Sequence, residues 1–437
     1  MACALCVSVF LMPTSAQEQG EEPVIEQPLP PVSLTNQTLI FPPVALPAPT
    51  VSGISAGSRV GGTSQLGQST PPPLLIAPEG PLQWGRVRLR PNVDYTFSYG
   101  NNLESAPGVH ADTAINSVTP GILIELGTHW FLDYSPTVRF YSNKSFRDGT
   151  DHSVLLNGAS TYQDWTLGFS QSYASSSQPL IETGAQTAQE TYSTSLTAAR
   201  QLNSKLSLEL GLSQNFRFIE QNASSQGLSD MRDWSNTDWL NYRLFPRLDV
   251  AIGGGVTYDN LSQSPDMVSE QLQGRIICRP GSKLNITASA GLDYREFLNS
   301  NSPNLLSPIF SLSSVYQLLE TTSFSLSASR SVAPSYFQSS VTESTTVSAG
   351  VQQRLLGKTY LNVQGGYSQT IYHQTSTVSS VSDVNDYDST SLNVSLSAAF
   401  LKRASGSLFC QVAYHSSTAA RYDYSTTQIG FTLAYRF

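Results

Sequence analysis

The sequence is short of charge and of long apolar runs. Charged residues make up 13% of the 437 residues, against about 25% in a typical soluble domain, and the net charge is −8. No stretch approaches the about 18 consecutive apolar residues of a membrane-spanning helix. The chain is acidic and has no block of Lys and Arg, which argues against a nucleic-acid partner. A polar chain with few charged residues and no long apolar run predicts a secreted β-solenoid or a membrane β-barrel.

The first 16 residues have the pattern of a secretory signal peptide. Residues 2–12 form a short apolar run, and small residues lead up to Ala16, after which cleavage is expected. No Lys or Arg precedes this run, which is atypical of such signals. We nevertheless predict export, because both a secreted β-solenoid and a membrane β-barrel must leave the cytoplasm.

Residues 17–83 are rich in proline and form a separate segment. Residues 17–80 contain 12 of the 25 prolines. Such a composition cannot bury enough apolar surface to offset the entropy of ordering, so we expect a disordered, flexible periplasmic arm. The arm is either a tether or docking segment, or a plain spacer.

From residue 84 to residue 437 the sequence alternates between apolar and polar residues. Residues 87–99, 206–213 and 284–295 show this period of two without interruption. The pattern predicts strands with one apolar and one polar face. The strands are about 10 to 14 residues long, longer than average globular strands and long enough to cross a bilayer at a tilt.

Short turns and longer polar segments divide these strands into hairpins. The tight turns are predicted at Gly127-Thr128, Gln163-Asp164, Asn203-Ser204, Phe245-Pro246, Arg279–Ser282, Leu319–Thr321, Leu356–Lys358 and Lys402–Ala404. The longer segments between them include residues 101–112, 142–151, 175–190, 220–229 and 373–386. This asymmetry is typical of outer-membrane barrels. We therefore predict an all-β, transmembrane, antiparallel up-and-down β-barrel of about 18 strands, with a range of 16 to 20.

The apolar face of each strand is expected to contact lipid. In the strand at residues 130–141 it carries Trp130, Leu132, Tyr134, Pro136, Val138 and Phe140. Aromatic residues at strand ends fit the girdles at the two membrane interfaces; these are Trp130, Trp165, Tyr316, Tyr99, Tyr173, Phe297 and Tyr372.

The chain ends in an aromatic residue that is in phase with the alternation. Phe431, Leu433, Tyr435 and Phe437 occupy every second position of the last predicted strand. This pattern resembles the insertion signal of bacterial outer-membrane barrels, which the barrel-assembly machinery reads. We predict that these four residues form such a signal.

The barrel region, about 354 residues, resembles a family of outer-membrane β-barrel porins often associated with exopolysaccharide or surface-polymer loci. The similar segments are Tyr99-Gly100-Asn101-Asn102-Leu103 in the first strand and Thr119-Pro120-Gly121 in the next. The resemblance implies the fold and the location. Gly100 stands where an acidic residue is more frequent, so a role tied to that acid does not carry over.

Catalytic and metal-binding chemistry has little support in the sequence. The five histidines are His110, His129, His152, His373 and His415. Serines are so frequent that each histidine has one nearby by chance, and no G-x-S-x-G motif or metal-ligand spacing occurs. Cys278 and Cys410 of the mature chain are expected to be free thiols. We predict no enzyme, no cofactor and no metal.

The polar strand faces predict the lining of the lumen. The predicted pore-lining residues are Arg88, Arg90, Asp94, Asp133, Arg139, Glu209, Arg217, Asp249, Asp293 and Arg295. Arg88, Arg90, Asp94 and Asp133 either form a constriction or belong to internal ion pairs that satisfy buried charges. Mixed charge among Ser, Thr, Asn and Gln favours a water-filled pore without strong ion preference.

We therefore predict an integral barrel of the bacterial outer membrane that is a porin-like passive channel for small polar solutes. The alternative is a structural or accessory barrel for surface-polymer secretion or cell-envelope attachment. The expected partners are outer-membrane lipid and lipopolysaccharide, the assembly machinery during insertion and, as an open alternative, further copies of the chain in a homo-oligomer.

Overall fold

The computed structural model describes residues 82–101, 112–127, 129–177, 179–180, 185–220, 228–300, 302–335, 340–374, 386–417 and 423–437. The predicted signal peptide and almost all of the predicted Pro-rich arm lie outside these residues. In the described part the chain forms strands and no helix, so no helix there is long and apolar enough to cross a membrane. The strands are β1 (Leu82–Trp84), β2 (Val87–Asn101), β3 (Asp112–Leu126), β4 (Trp130–Tyr134), β5 (Thr137–Tyr141), β6 (Gly149–Tyr162), β7 (Trp165–Ser176), β8 (Pro179–Leu180), β9 (Ala185–Gln186), β10 (Gln189–Gln201), β11 (Leu206–Ile219), β12 (Met231–Phe245), β13 (Leu248–Leu261), β14 (Met267–Cys278), β15 (Leu284–Phe297), β16 (Leu305–Leu319), β17 (Thr322–Pro334), β18 (Ser340–Arg354), β19 (Thr359–Gln374), β20 (Tyr387–Ala399), β21 (Ala404–Ser417) and β22 (Tyr424–Arg436).

The long strands close into one antiparallel barrel. Each pairs with its neighbours in the sequence, and β2 pairs with both β3 and the last strand, β22. β4 and β5 are two parts of one barrel strand, interrupted at Ser135-Pro136, because both pair with β3 and with β6. The barrel therefore has 18 strands, which confirms the predicted fold class and strand number.

The short strand β1 lies at the seam of the barrel. β22 pairs with residues 92–101 of β2, whereas β1 pairs with residues 87–89 of the same edge. Gly85 adopts a left-handed φ of 62° in the two-residue turn between β1 and β2, a conformation that glycine adopts without strain. The backbone N–H of Phe437 donates to the carbonyl oxygen of Pro91 at 3.0 Å. β1 and the end of the chain thus cover neighbouring parts of one edge of β2.

Tight turns lie at one end of the barrel, here called the short-turn end. All eight predicted turns occur there, within a residue or two of the predicted positions. Gly127, in the first of them, has a φ of 70° and occupies the left-handed position of the turn. The opposite end, here called the long-loop end, holds the longer connections, one of which contains the small hairpin of β8 and β9. The predicted asymmetry is therefore present.

The side chains alternate between an apolar outer face and a polar inner face. Large apolar side chains on the outer face are about half exposed or more; examples are Leu196, Leu212, Leu272, Leu292, Leu392 and Leu408. On β4 and β5 the outer face carries the side chains that the alternation predicted, and Phe140 is 49% exposed. A broad apolar outer band is typical of membrane-spanning barrels.

One cluster of buried apolar residues lies inside the barrel, near the long-loop end. Its members are Met231, Leu261, Met267, Phe297, Ile309, Val332 and Val341, with Leu305 packed against it. Phe297 and Tyr372 were predicted to belong to an outer aromatic girdle, and both predictions are wrong. Asp293, Arg295 and Phe297 follow one another at every second position on β15, so they share the inner face. Tyr372 lies on the face of β19 opposite to that of the outward Tyr367, which lies five residues before it.

Candidate functional site

All ten predicted pore-lining residues lie on the inner face of the barrel by the alternation of their strands. Arg88, Arg90 and Asp94 are on β2, Asp133 and Arg139 on β4 and β5, Glu209 and Arg217 on β11, Asp249 on β13, and Asp293 and Arg295 on β15. Nine of them belong to two different environments. Those on β11 and β15 lie in a densely packed half of the interior, and those on β2 to β5 lie in an accessible half. Asp249 lies at the short-turn end, where its Oδ1 is 3.4 Å from Arg243 Nε. The role of all ten in conduction stays a prediction.

The end of the β17–β18 hairpin bends into the barrel at the long-loop end. Pairing of β16 with β17 stops at Phe310 and Arg330, but β17 and β18 remain paired as far as Pro334 and Val341. Beyond Arg330 the hairpin therefore leaves the barrel wall. Residues 332–335 and 340–341, here called the inward hairpin end, are all buried.

The inward hairpin end packs its apolar side on the inner wall. Val332 and Val341 are 1% and 0% exposed and belong to the same apolar cluster as Phe297 of β15 and Ile309 of β16. Burying an apolar side chain of this size contributes about 1.5–3 kcal/mol to the stability of the fold. The contact therefore stabilises the inward position of the hairpin.

Two buried arginines donate hydrogen bonds to the backbone of this hairpin end. Arg217 Nη2 lies 3.3 Å from the carbonyl oxygen of Ser335, and Arg295 Nη2 lies 2.6 Å from that of Val332. Arg295 also bonds both carboxylate oxygens of Asp293, at 3.1 and 3.4 Å. Hydrogen bonds that involve a charged group contribute about 1.5–3 kcal/mol. The two arginines thus add charged hydrogen bonds to the apolar contact between the wall and the hairpin.

Acidic side chains lie directly below the apolar cluster. Asp233 and Asp259 are cross-strand partners on β12 and β13, and neither side chain is exposed. Arg295 Nη1 lies 3.7 Å from Asp259 Oδ2. With Asp293 this layer contains three acids against two arginines, Arg217 and Arg295. One acid is in excess, and two buried acidic side chains face each other directly, which is less favourable than an acid that faces a neutral partner.

A second buried cluster lies closer to the short-turn end. The Arg275 guanidinium stacks over the Trp239 ring, with its carbon 4.3 Å from the ring centroid. Arg275 Nη2 also contacts Glu209 at 2.8 Å and Asn241 Oδ1 at 2.6 Å. On its other side the Trp239 ring covers Gly253, where a Cβ atom would lie only 2.5 Å from ring carbons. The packed half of the interior therefore extends from the long-loop end towards the short-turn end.

The inner face of β2 to β10 is accessible by contrast. Most of its side chains, such as Asn157, Ser170 and Ser195, are partly exposed rather than buried. We call the inner faces of β2 to β7 and β10, together with the adjoining end of β22, the accessible arc. Its described charged residues are four arginines and four acids, namely Arg88, Arg90, Arg139, Arg436, Asp94, Glu125, Asp133 and Asp151. The arc is therefore polar and has balanced charge.

The charges of the accessible arc are mostly paired with one another. Arg90 contacts Glu125 at 3.0 Å, Arg88 contacts the same carboxylate at 3.8 Å, and Arg139 contacts Asp151 at 2.8 Å. All five side chains keep some exposure, from 13% for Asp151 to 50% for Arg88. Of the two interpretations left open for Arg88 and Arg90, this geometry favours ion pairs on the wall.

The residues of the predicted insertion signal lie on and beside the last strand. Phe431, Leu433 and Tyr435 are on the outer face of β22, and Phe431 packs 5.7 Å from the ring of Phe97 on β2. The Phe437 ring lies 4.8 Å from that of Tyr435. They help to close the seam; their recognition by assembly machinery stays a prediction.

The described part of the chain holds no group of three His, Cys, Asp or Glu side chains arranged to bind a metal ion. His415 is buried and stacks on Tyr424, with ring centroids 4.3 Å apart. Cys278 and Cys410 are not joined by a disulfide.

The sequence analysis missed Glu125, Asp151, Asp233 and Arg275 as inner-face charges. The signal was present for Arg275, since Ser269, Gln271 and Gln273 precede it in polar phase on β14. Which charges pair across strands was not readable, because the pairing depends on register.

No model of a known protein family matches the sequence, and no curated protein matches it. Among solved structures, the siderophore receptor PirA of Pseudomonas aeruginosa matches with a TM-score of 0.44 and 11% identity over 82% of this chain and 81% of that chain. OccAB4 of Acinetobacter baumannii matches with a TM-score of 0.42 and 12% identity over 82% and 100%. OccK11 (OpdR) of Pseudomonas aeruginosa matches with a TM-score of 0.41 and 13% identity over 80% and 96%.

Proposed function

We propose that the chain is an outer-membrane β-barrel through which small polar solutes diffuse passively along the accessible arc. The observation that carries the proposal is the division of the interior into a packed half and a polar, partly exposed half. An apolar outer band supports a location in a bilayer, and barrels of this class occur in bacterial outer membranes. A polar arc inside it supplies water and solute with hydrogen-bonding partners.

The arrangement favours an off-centre and narrow path. The inward hairpin end and the side chains of β11 to β16 fill one side, so solute passes along β2 to β10. Because the four arginines and four acids of the arc balance, we expect weak preference between small cations and anions. Serine, threonine and asparagine side chains between the charges suit hydroxylated solutes, including small saccharides.

The first experiment is planar-bilayer recording of the refolded full-length protein, together with liposome swelling in small sugars. Stepwise conductance and sugar-dependent swelling are the expected results. A correctly folded barrel that gives no conductance above the background of empty bilayers would refute the channel.

The ion pair of Arg139 and Asp151 gives a sharper test. Arg139→Gln leaves the Asp151 carboxylate facing the path and should move the reversal potential in a salt gradient towards cation selectivity. Asp151→Asn should move it towards anion selectivity. Glu270→Gln, on the exposed outer face of β14, removes one charge of the same kind and should leave it unchanged. Equal shifts in all three variants would show that the arc is not the path.

A second function is a structural or accessory barrel for surface-polymer secretion or cell-envelope attachment. The inward hairpin end favours it, because a barrel half filled from within suits a wall component as well as a channel. Such a barrel would not conduct in the recording above, and the loss of residues 17–80 would then impair attachment or polymer export in cells.

A further inference from the structure

The outer face of the barrel carries a belt of polar side chains in the middle of four neighbouring strands. Its members, here called the polar belt, are Gln171 on β7, Thr194 on β10, Gln214 on β11, and Asn236 and Asp238 on β12. Thr194 is the cross-strand partner of both Gln171 and Gln214, so the first three residues form one continuous row. Asn236 and Asp238 continue the belt on the next strand.

The alternation places these five residues outside the lumen. Leu212 is the cross-strand partner of Asn236, and Leu210 is that of Asp238, so the two polar side chains share a face with outward leucines. The inner face of the same strand carries Asp233 and Trp239 instead. At the same mid-strand depth, β15 and β20 present Leu292 and Leu392 to the outside. The belt is therefore a polar interruption of an apolar band.

Hydrogen bonds within the barrel satisfy only some of the polar groups of the polar belt. Thr194 Oγ1 donates to Gln171 Oε1 at 2.6 Å, and Asn236 Nδ2 donates to Asp238 Oδ1 and to the carbonyl oxygen of Gly211, both at 3.2 Å. Within the described residues, the amide of Asn236 supplies the one hydrogen bond to the Asp238 carboxylate. Asp238 faces Gly254 on its β13 side, so no side chain of that neighbour covers it. Acyl chains have no donor for a carboxylate at this depth.

We propose that the polar belt is the surface through which copies of this chain associate in the membrane. The belt contains both carboxylate and amide acceptors and amide and hydroxyl donors, so it is complementary to itself. Identical chains lie at the same depth, and rotation about an axis normal to the membrane brings the donors of one copy to the acceptors of the next. Hydrogen bonds between polar side chains are a known source of association within bilayers. A second copy therefore satisfies Asp238, which lipid cannot do.

The test compares the oligomeric state of full-length variants reconstituted in lipid nanodiscs or vesicles, read by chemical cross-linking and native mass spectrometry. The wild-type chain should form a discrete oligomer. Asn236→Leu combined with Asp238→Leu should weaken association at least tenfold. Asn116→Leu removes an outward amide of β3, which lies three strands from the belt; this amide is bonded to Tyr95 at 2.7 Å, and its loss should leave the oligomer intact. A monomeric wild-type chain, or a double variant that associates like the wild type, would overturn the proposal.

A second measurement does not depend on the folding of the double variant. In a cysteine-free background, Leu196→Cys places a thiol beside the belt and Leu392→Cys places one on the remote outer face; the two leucines are 47% and 48% exposed. Oxidation in the membrane should join copies through position 196 and leave position 392 unlinked. Equal cross-linking at both positions would contradict an interface at the belt. Neither measurement reads conductance, so a barrel that does not conduct can still confirm this surface.

Discussion

Arg217 of β11 donates a hydrogen bond to the carbonyl oxygen of Ser335 at 3.3 Å, although 118 residues separate them. Five barrel strands lie between their positions on the wall, so the contact exists because the hairpin of β17 and β18 turns inward. The same guanidinium lies 3.4 Å from the carbonyl oxygen of Ser229. One buried cation therefore joins the inward hairpin end to another part of the long-loop end.

Arg217→Met should loosen the inward hairpin end while keeping the volume of the side chain. The loss of charged hydrogen bonds is expected to lower the free energy of unfolding by about 2 kcal/mol. Single-channel recording should show a larger mean conductance with more current noise. The control is Arg243→Met, since Arg243 pairs with Asp249 at the short-turn end and is 56% exposed. If both variants conduct alike, the hairpin does not restrict the path.

Gly253→Ala should destabilise the barrel because the added methyl group meets the ring of Trp239. A Cβ at this position would lie 2.5 Å from the ring, so Trp239 and the stacked Arg275 must move. We expect a loss of about 1–3 kcal/mol in urea unfolding in detergent micelles. Gly274→Ala, on the outer face of the adjacent strand, has open space around the new methyl group and should change stability little. Equal losses would mean that backbone effects dominate.

Asp233→Asn should stabilise the folded barrel at neutral pH. Asp233 faces Asp259 directly, and the layer has three acids against two arginines, so the variant leaves equal numbers of each. Replacing one of two facing buried acids by a neutral amide is expected to raise the free energy of unfolding by about 1 kcal/mol. Asp249→Asn breaks a partly exposed pair with Arg243 instead and should be neutral or slightly destabilising. A destabilised Asp233→Asn barrel would show that the arginines need all three acids.

Cys410 should react only with reagents that enter the bilayer. It is exposed on the outer face near the middle of β21, and it forms no disulfide. In proteoliposomes, a charged methanethiosulfonate should leave it unmodified, and a hydrophobic maleimide should label it. In a Cys278→Ser, Cys410→Ser background, Ser195→Cys on the accessible arc should react with the charged reagent. Rapid reaction of Cys410 with that reagent would place the outer face in water.

The barrel itself could be predicted because its pattern is local. Two-residue alternation and short turns identified 18 strands, the inner face of residues such as Asp293, and the outer face of Phe140, without knowledge of any long-range contact. The phase of β15 puts Phe297 on the inner face with Asp293 and Arg295, but it was assigned to the outside because aromatic residues at strand ends usually form girdles.

The inward hairpin end could not be predicted from the pattern. Val332 and Val341 lie on positions that would face lipid if the wall were regular, and a valine has the same alternation whether it meets acyl chains or Ile309. The ion pair of Arg139 and Asp151 was equally hidden, since their separation in the sequence carries no information on register. Both the inward hairpin end and this ion pair depend on contacts between residues far apart in the sequence, which the local pattern does not contain.

The short strand β1 fixes the stagger of the barrel. β22 pairs with β2 from residue 92 onward, and the next residues of that edge, 87–89, are already occupied by β1. A slip of β22 towards the short-turn end by one pleat would require β1 to be displaced. Because the diameter of a barrel depends on strand number and on shear, three residues at the seam limit the circumference that the 18 strands can adopt.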